Sequence, residues 1–165
     1  GGGDGGKDGR ATELKAREGG RPFRAVCADT GNEHEAAIEY VARLHERTGG
    51  PVVEAVRADF SADLARHRDY ILRAWPKEGI PDHIVQEAAT LHEPTGIPYL
   101  DLCISKGRFP SRMAQFCTGE LKEIPITTQI VGPMLKAGPV LQWLGIRSAG
   151  TRNRAAQPLL KRSES

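Results

Sequence analysis

The order of apolar patterns along the chain predicts an α/β fold: a parallel sheet with crossover helices. Two observations carry that expectation. Short β-branched runs alternate with segments of helical period, strand, helix, strand, helix, between Phe23 and Trp75. Each strand-like run then ends in polar turn residues, Asp29-Thr30-Gly31 after the first and Arg57-Ala58-Asp59 after the second. Open parallel sheets bind their ligands beyond such carboxyl ends. A third observation is the loop Gly5-Gly6-Lys7-Asp8-Gly9, whose glycines let backbone N–H groups approach a phosphate and whose lysine adds positive charge.

Such a loop ordinarily joins a strand to a helix N-terminus. Only Gly1 to Asp4 precede it, so the first strand of the sheet is expected to be missing. Gly1, Gly3 and Gly6 also spell G-x-G-x-x-G, which has no dinucleotide meaning without that strand. A flexible glycine-rich tail is the competing reading of these residues.

Arg10 to Glu18 predicts a short helix with a weak apolar face, stopped by Gly19-Gly20. Phe23 to Ala28 predicts a buried strand around Val26 and Cys27. Asn32 and Glu35 have the spacing of a capping pair, and Ala37, Tyr40, Val41 and Leu44 form one apolar stripe behind them. Gly49-Gly50-Pro51 ends that helix, and Val52 to Val56 predicts the second strand. Asp59 or Ser61 caps the next helix, whose Phe60, Leu64, Ile71 and Trp75 share a face up to Pro76. Asp82 caps a further helix through Leu91. Tyr99 to Ile104 is apolar without a decisive period. Thr118 caps a turn ending at Pro125, and Ile126 to Lys136 is helical in pattern but broken at Gly132-Pro133. Val140 to Ile146 is a third strand candidate, with Arg147-Ser148 at its end.

With 165 residues the chain has length for one domain, expected over 1–150, followed by a basic polar tail over 151–165. A formal charge of +2 does not describe a general polyanion binder, and 5% aromatics argue against a base-stacking surface, so nucleic acid is not the expected partner. Cys27, Cys103 and Cys117 are odd in number and widely spaced, with no C-x-x-C and no zinc spacing. That usage fits a reducing, cytoplasmic setting. No apolar run reaches membrane-span length, so no membrane partner is expected.

His34 lies between Glu33 and Glu35, but adjacent residues do not share a helical face, so no metal site is assigned there. Taken alone, Asp29-Thr30-Gly31 is turn chemistry and Arg147 a solvated charge. Lys106, Arg108, Arg112 and Lys122 are either a solvated face or a set of phosphate-neutralising cations. Cys117 is read as a small buried residue.

In order along the chain, Ala28-Asp29-Thr30-Gly31-Asn32-Glu33-His34, Lys106-Gly107-Arg108-Phe109-Pro110-Ser111, Phe116-Cys117-Thr118 with Leu121-Lys122 and Pro125, and Trp143-Leu144-Gly145-Ile146-Arg147 resemble the phosphoadenosine phosphosulfate reductase family. The likeness is greatest to phage- and bacterial-type members of unassigned substrate, and runs from about Asp4 to Arg154. It implies an adenine nucleotide α-hydrolase-like fold, a doubly wound, Rossmann-like parallel sheet. It implies a phosphate loop over Asp4 to Gly9, with Gly5, Gly6, Asp8, Gly9, Asp29, Thr30 and Gly31 binding the nucleotide. Lys7, Lys122 and Arg147 then act at the phosphate or sulfate end, and Asp8 orients a Mg²⁺ ion carried with the nucleotide. Three departures narrow this. Asp4 and Gly9 replace the family's two loop serines, Gly150-Thr151 replaces its usual Glu-Ser, and the C-terminal Glu-Cys-Gly motif is missing. Thiol-dependent reduction and an iron–sulfur cluster are therefore not expected, and the chain is expected to be truncated at both ends.

The expected function is that of an ATP pyrophosphatase-type enzyme acting on ATP or a phosphosulfate nucleotide. Two alternatives stand beside it. One is a non-catalytic remnant or interaction module on the same fold, with a protein partner or a second copy of itself. The other is a component of nucleic-acid sulfur modification, for which the basic tail is the support.

Overall fold

The structure, a computed structural model, describes residues 14–20 and 22–145 together with the backbone of residues 161–162. Helix α1 (14–18) leads into strand β1 (Ala25–Asp29), followed by α2 (Glu35–Ala42), α3 (Leu44–Thr48) and β2 (Val53–Arg57). Helices α4 (Ser61–Ala74), α5 (Asp82–Leu91) and α6 (Pro98–Lys106) come next, then a long helical run α7 (116–135), and finally the two-residue strands β3 (Leu141–Gln142) and β4 (Lys161–Arg162). The fold is thus mixed helix and strand, and β1 and β2 form a small parallel sheet.

The chain divides into two compact units. The first holds the described residues of Gly1–Cys27, Glu33–Val56 and Ile126–Ser165; the second holds Ala28–Asn32 and Arg57–Pro125. The division crosses both parallel strands, so their carboxyl ends belong to the second unit.

That second unit has two apolar centres. Phe60, Leu102 and Leu121 form one, covered by Ala58, Tyr99, Phe116 and Cys117. Ile71, Val85 and Ala89 form the other, where α4 meets α5, with Trp75, Ile80 and Ala88 around them. The α4 stripe read from the sequence is the one buried: Phe60, Leu64 and Ile71 are inside and Trp75 is half-buried. Neither Asp59 nor Ser61 is the cap of α4: Phe60 holds that position without a side-chain cap bond, and Asp59, one residue earlier, closes an Asx turn with its Oδ1 accepting from Ser61 N–H at 2.9 Å. In the first unit Leu44, Val56, Ile130 and Val131 are buried. Arg24, just before β1, makes a two-pronged contact with Glu54 of β2, Nε to Oε1 at 2.7 Å and Nη2 to Oε2 at 2.5 Å.

Several elements differ from expectation for identifiable reasons. The cap of α2 is His34, not Asn32: its Nδ1 accepts from Ala36 N–H at 3.1 Å. An imidazole nitrogen two residues before a free N–H does the work of a carboxamide. The apolar stripe behind it is only half covered, with Ala37 exposed, Tyr40 and Val41 half-buried and Leu44 buried. Strand β1 is likewise half-buried along its length, because in the described residues it belongs to a sheet of two strands. Pro81 stands at the cap position of α5, and Asp82 is the first helical residue. Tyr99 to Ile104, apolar without a decisive period, lie within helix α6, which Pro98 opens at the position where a missing N–H costs nothing.

The third strand candidate does not join the parallel sheet. Leu141 and Gln142 pair antiparallel with Arg162 and Lys161 in a separate two-stranded ribbon.

Helix α7 departs furthest. Thr118 is not a cap but lies within the run, with φ −67 and ψ −49, and the helical backbone passes through both Pro125 and Pro133. Before each proline the ladder widens by one residue. Ile124 N–H donates to the Gly119 carbonyl and Gly132 N–H to the Thr127 carbonyl, each five residues back. Proline lacks an N–H and its ring crowds the carbonyl four residues earlier; a wider turn gives that carbonyl room. Two evenly placed wide turns therefore replace the expected break.

Candidate functional site

The carboxyl end of β1 is a tight turn built from its own side chain. Asp29 Oδ1 accepts from Gly31 N–H at 2.8 Å, closing an Asx turn. Gly31 has φ +72, in the left-handed region that glycine enters without strain. A Cβ there would stand 2.9 Å from Pro98 Cδ and 3.1 Å from Ile97 Cγ2, so the turn lies directly against the start of α6. Thr30 is buried, and its carbonyl accepts from Tyr99 N–H at 3.0 Å. One of the unsatisfied donors of the α6 N-terminus is thus used to hold the turn.

Arg57, the last residue of β2, reaches the same turn. Its Nε lies 3.5 Å from Asp29 Oδ2, with both side chains substantially exposed. The carboxylate of Asp29 therefore holds the β1 turn with one oxygen and the end of β2 with the other.

The loop that brings Ile97 and Pro98 to Gly31 is fixed by a buried carboxylate. Asp101, in the first turn of α6, accepts from Thr95 N–H at 2.8 Å and from Thr95 Oγ1 at 2.7 Å. Thr95 Oγ1 in turn accepts from Ile97 N–H at 3.1 Å. This reciprocal arrangement works like a capping box, with an acid on the helix reaching back to the loop. The sequence signal for this loop is Thr95-Gly96-Ile97-Pro98 followed by Asp101.

On α6 itself, Tyr99 and Cys103 stand four residues apart, one helical turn, on the same face. Burial pushes the Cys103 thiol up from its ordinary range, and the neighbouring Cys117 adds to the rise; the Tyr99 hydrogen bond opposes it. Desolvation, then the two sulfurs, also raises the Tyr99 phenol. A thiol raised in this way is a poor nucleophile at neutral pH. Cys117 is half-buried rather than fully buried.

Of the expected site residues, Asp29, Thr30 and Gly31 come together with Arg57 at the strand ends. Lys122 is exposed on α7 beside the buried Leu121, and no described ion pair joins it to that turn. Gly5, Gly6, Lys7, Asp8, Gly9 and Arg147 lie outside the described residues. The other cations of the expected phosphate set are engaged locally: Lys106 Nζ contacts Glu120 Oε1 at 2.7 Å, and Arg108 stands over the Phe116 ring at 5.6 Å. Arg112 is exposed. Among the described residues no group of three or more His, Cys, Asp or Glu side chains is placed to hold a metal ion, and no helix is long and apolar enough to cross a membrane.

No family model matches the chain, and no solved structure matches it. It is similar to an uncharacterized 37.8 kDa protein in the gpa 5' region of Escherichia phage 186, with 39% identity over 170 residues. The match covers 94% of this chain and 49% of the phage protein, so the chain spans about half the length of that relative.

Proposed function

We propose that this chain carries the adenine-nucleotide site of a phosphoadenosine phosphosulfate reductase-like protein, on a doubly wound, Rossmann-like sheet, and acts at the phosphate or sulfate end of ATP or a phosphosulfate nucleotide. One observation supports this most. The family-like turn Asp29-Thr30-Gly31 stands at the carboxyl end of a strand paired in parallel, with Gly31 in a left-handed conformation against the start of a helix. Open parallel sheets take ligands at that position. On this reading Asp29 and Thr30 border the adenosine and Gly31 permits close approach. Gly5, Gly6, Asp8 and Gly9 cradle phosphates, and Lys7, Lys122 and Arg147 neutralise charge that develops at the reacting end.

Calorimetric titration with ATP, adenosine 5′-phosphosulfate and its 3′-phosphorylated form, each with and without Mg²⁺, tests the reading. Saturable binding of at least one is expected; no binding at millimolar ligand contradicts it.

A second reading, a non-catalytic interaction module, draws on the exposure of Ile38, Val52, Leu141 and Leu144 in the first unit. Release of pyrophosphate from ATP by a monomeric chain would exclude it.

A further inference from the structure

We propose that His67 and His92 form a two-imidazole site for a late first-row divalent cation of the Zn²⁺ class, which clips the middle of α4 to the end of α5. The two rings stand with centroids 6.0 Å apart and planes at 73°. Imidazoles that share one ion at about 2.0–2.1 Å per nitrogen have centroids about 5–6 Å apart, so the pair is close to that spacing. His92 closes α5, and its Nδ1 lies 2.8 Å from the Ala88 carbonyl oxygen. A carbonyl only accepts, so Nδ1 carries the proton, and the Nε2 lone pair of the neutral ring is left for an ion. Metal-bound histidines are ordinarily fixed in this way, one ring nitrogen donating to an acceptor and the other on the metal. Among the described residues neither Nε2 of His92 nor either nitrogen of His67 has a hydrogen-bond partner. The His67 ring therefore breaks no hydrogen bond there when it turns toward the ion.

Both histidines stand on the rim of a packed helix pair. Ile71, one turn after His67, is buried with Val85 and Ala89 of α5, and Ala88 and Ala89 lie one turn before His92. A site carried by two packed helices holds its ligands more exactly than one on a loop. The same two stretches are joined a second time through the neighbours of the histidines, Arg68 Nη1 lying 3.4 Å from Glu93 Oε1. Glu93 thereby offsets the Arg68 charge, and Asp63, one turn before His67, is paired with Arg66. The protein thus supplies two nitrogens, and water completes the coordination. Two imidazoles without a carboxylate select a cation such as Zn²⁺ or Ni²⁺ over Mg²⁺ and Ca²⁺, which take oxygen ligands. No local spacing announces this site; the packing of α4 on α5 brings its two residues together. It stands whatever ligand the strand ends take.

The experiment is calorimetric titration of the whole reduced chain, and of His67→Gln, His92→Gln and His83→Gln, with Zn²⁺ in the presence of excess Mg²⁺. Saturable uptake of one equivalent of Zn²⁺ is expected. His67→Gln and His92→Gln should each weaken it by at least about 10-fold, since loss of an outer-shell partner of a metal-bound histidine alone costs about 10–100-fold. His83→Gln, at an exposed position of α5, should leave it unchanged. Nitrogen-15 imidazole spectra of the wild-type chain read the same site without a variant: ring nitrogens of His67 and His92 should move with Zn²⁺ while those of His34, His45 and His83 stay. Zn²⁺ should also raise the thermal midpoint of wild type and of neither His67→Gln nor His92→Gln, because an ion held by the folded helix pair favours it by mass action. Absence of saturable uptake, uptake of equal strength in those two variants, or imidazole shifts that leave out His67 and His92 overturns the proposal.

Discussion

In a Gly31→Ala chain the new methyl group would stand 2.9 Å from Pro98 Cδ, 3.1 Å from Ile97 Cγ2 and 3.4 Å from Arg57 Nη2. Two costs add. At φ +72 an L-residue is in the left-handed region, which costs about 1–2 kcal/mol. The approach to Pro98 is shorter than ordinary carbon contact, and Pro98 cannot simply retreat. It is buried, it opens α6, and the next residue is tied to the turn by Tyr99 N–H to the Thr30 carbonyl at 3.0 Å. Overpacking of this kind costs about 1–3 kcal/mol, for a total of about 2–5 kcal/mol. Gly79→Ala is the control. Its φ is +78, and nothing lies within 4 Å of the added Cβ, so only the backbone cost applies. Urea denaturation followed by far-ultraviolet circular dichroism should show Gly31→Ala less stable than Gly79→Ala by at least about 1 kcal/mol. Equal losses in the two variants would refute the close approach of the turn to α6.

Asp101→Ala removes the acceptor of two Thr95 hydrogen bonds and should cost about 2–3 kcal/mol by the same denaturation assay, with Thr95→Ala costing less. Asp59→Ala removes the acceptor of the Ser61 N–H and should lose about 1 kcal/mol at neutral pH. The Ser61 hydrogen bonds hold the Asp59 carboxyl below the usual range in the folded chain. Its contribution is therefore full above the unfolded carboxylate value of about 3.9 and disappears as pH falls through the lower folded value, so wild type and variant should converge in stability under acid. Alkylation of the native chain at pH 7.5, read by peptide mass mapping, should label Cys27 and Cys117 well before Cys103, which is buried and has a raised thiol value.

The parts of the fold that sequence pattern revealed are those where a local rule and the packing agree. The α4 face of Leu64 and Ile71 follows helical period and is buried on both counts. Val53 to Arg57 follows β-branched composition. The misses are places where a local rule is satisfied by other means. Proline predicts a helix end, yet at Pro125 and Pro133 a ladder widened by one residue absorbs the ring. Asparagine outranks histidine as a cap, yet His34 is the residue whose nitrogen is in place. The turn at Asp29-Thr30-Gly31 was legible because carboxylate, hydroxyl and glycine each have a turn-specific role. The parallel pattern also places Arg57 on that rim, whereas Pro98 and Tyr99 are distant in sequence and only the fold brings them to the turn.

The most direct test of a nucleotide site at the carboxyl ends of β1 and β2 is a nitrogen-15 amide chemical-shift titration with ATP and with adenosine phosphosulfate. The amides of Thr30, Gly31, Ala58 and Tyr99 are predicted to move together and to saturate with one affinity. Unchanged shifts at these four amides with ligand at millimolar concentration, or saturable changes confined to other described residues, would contradict the account.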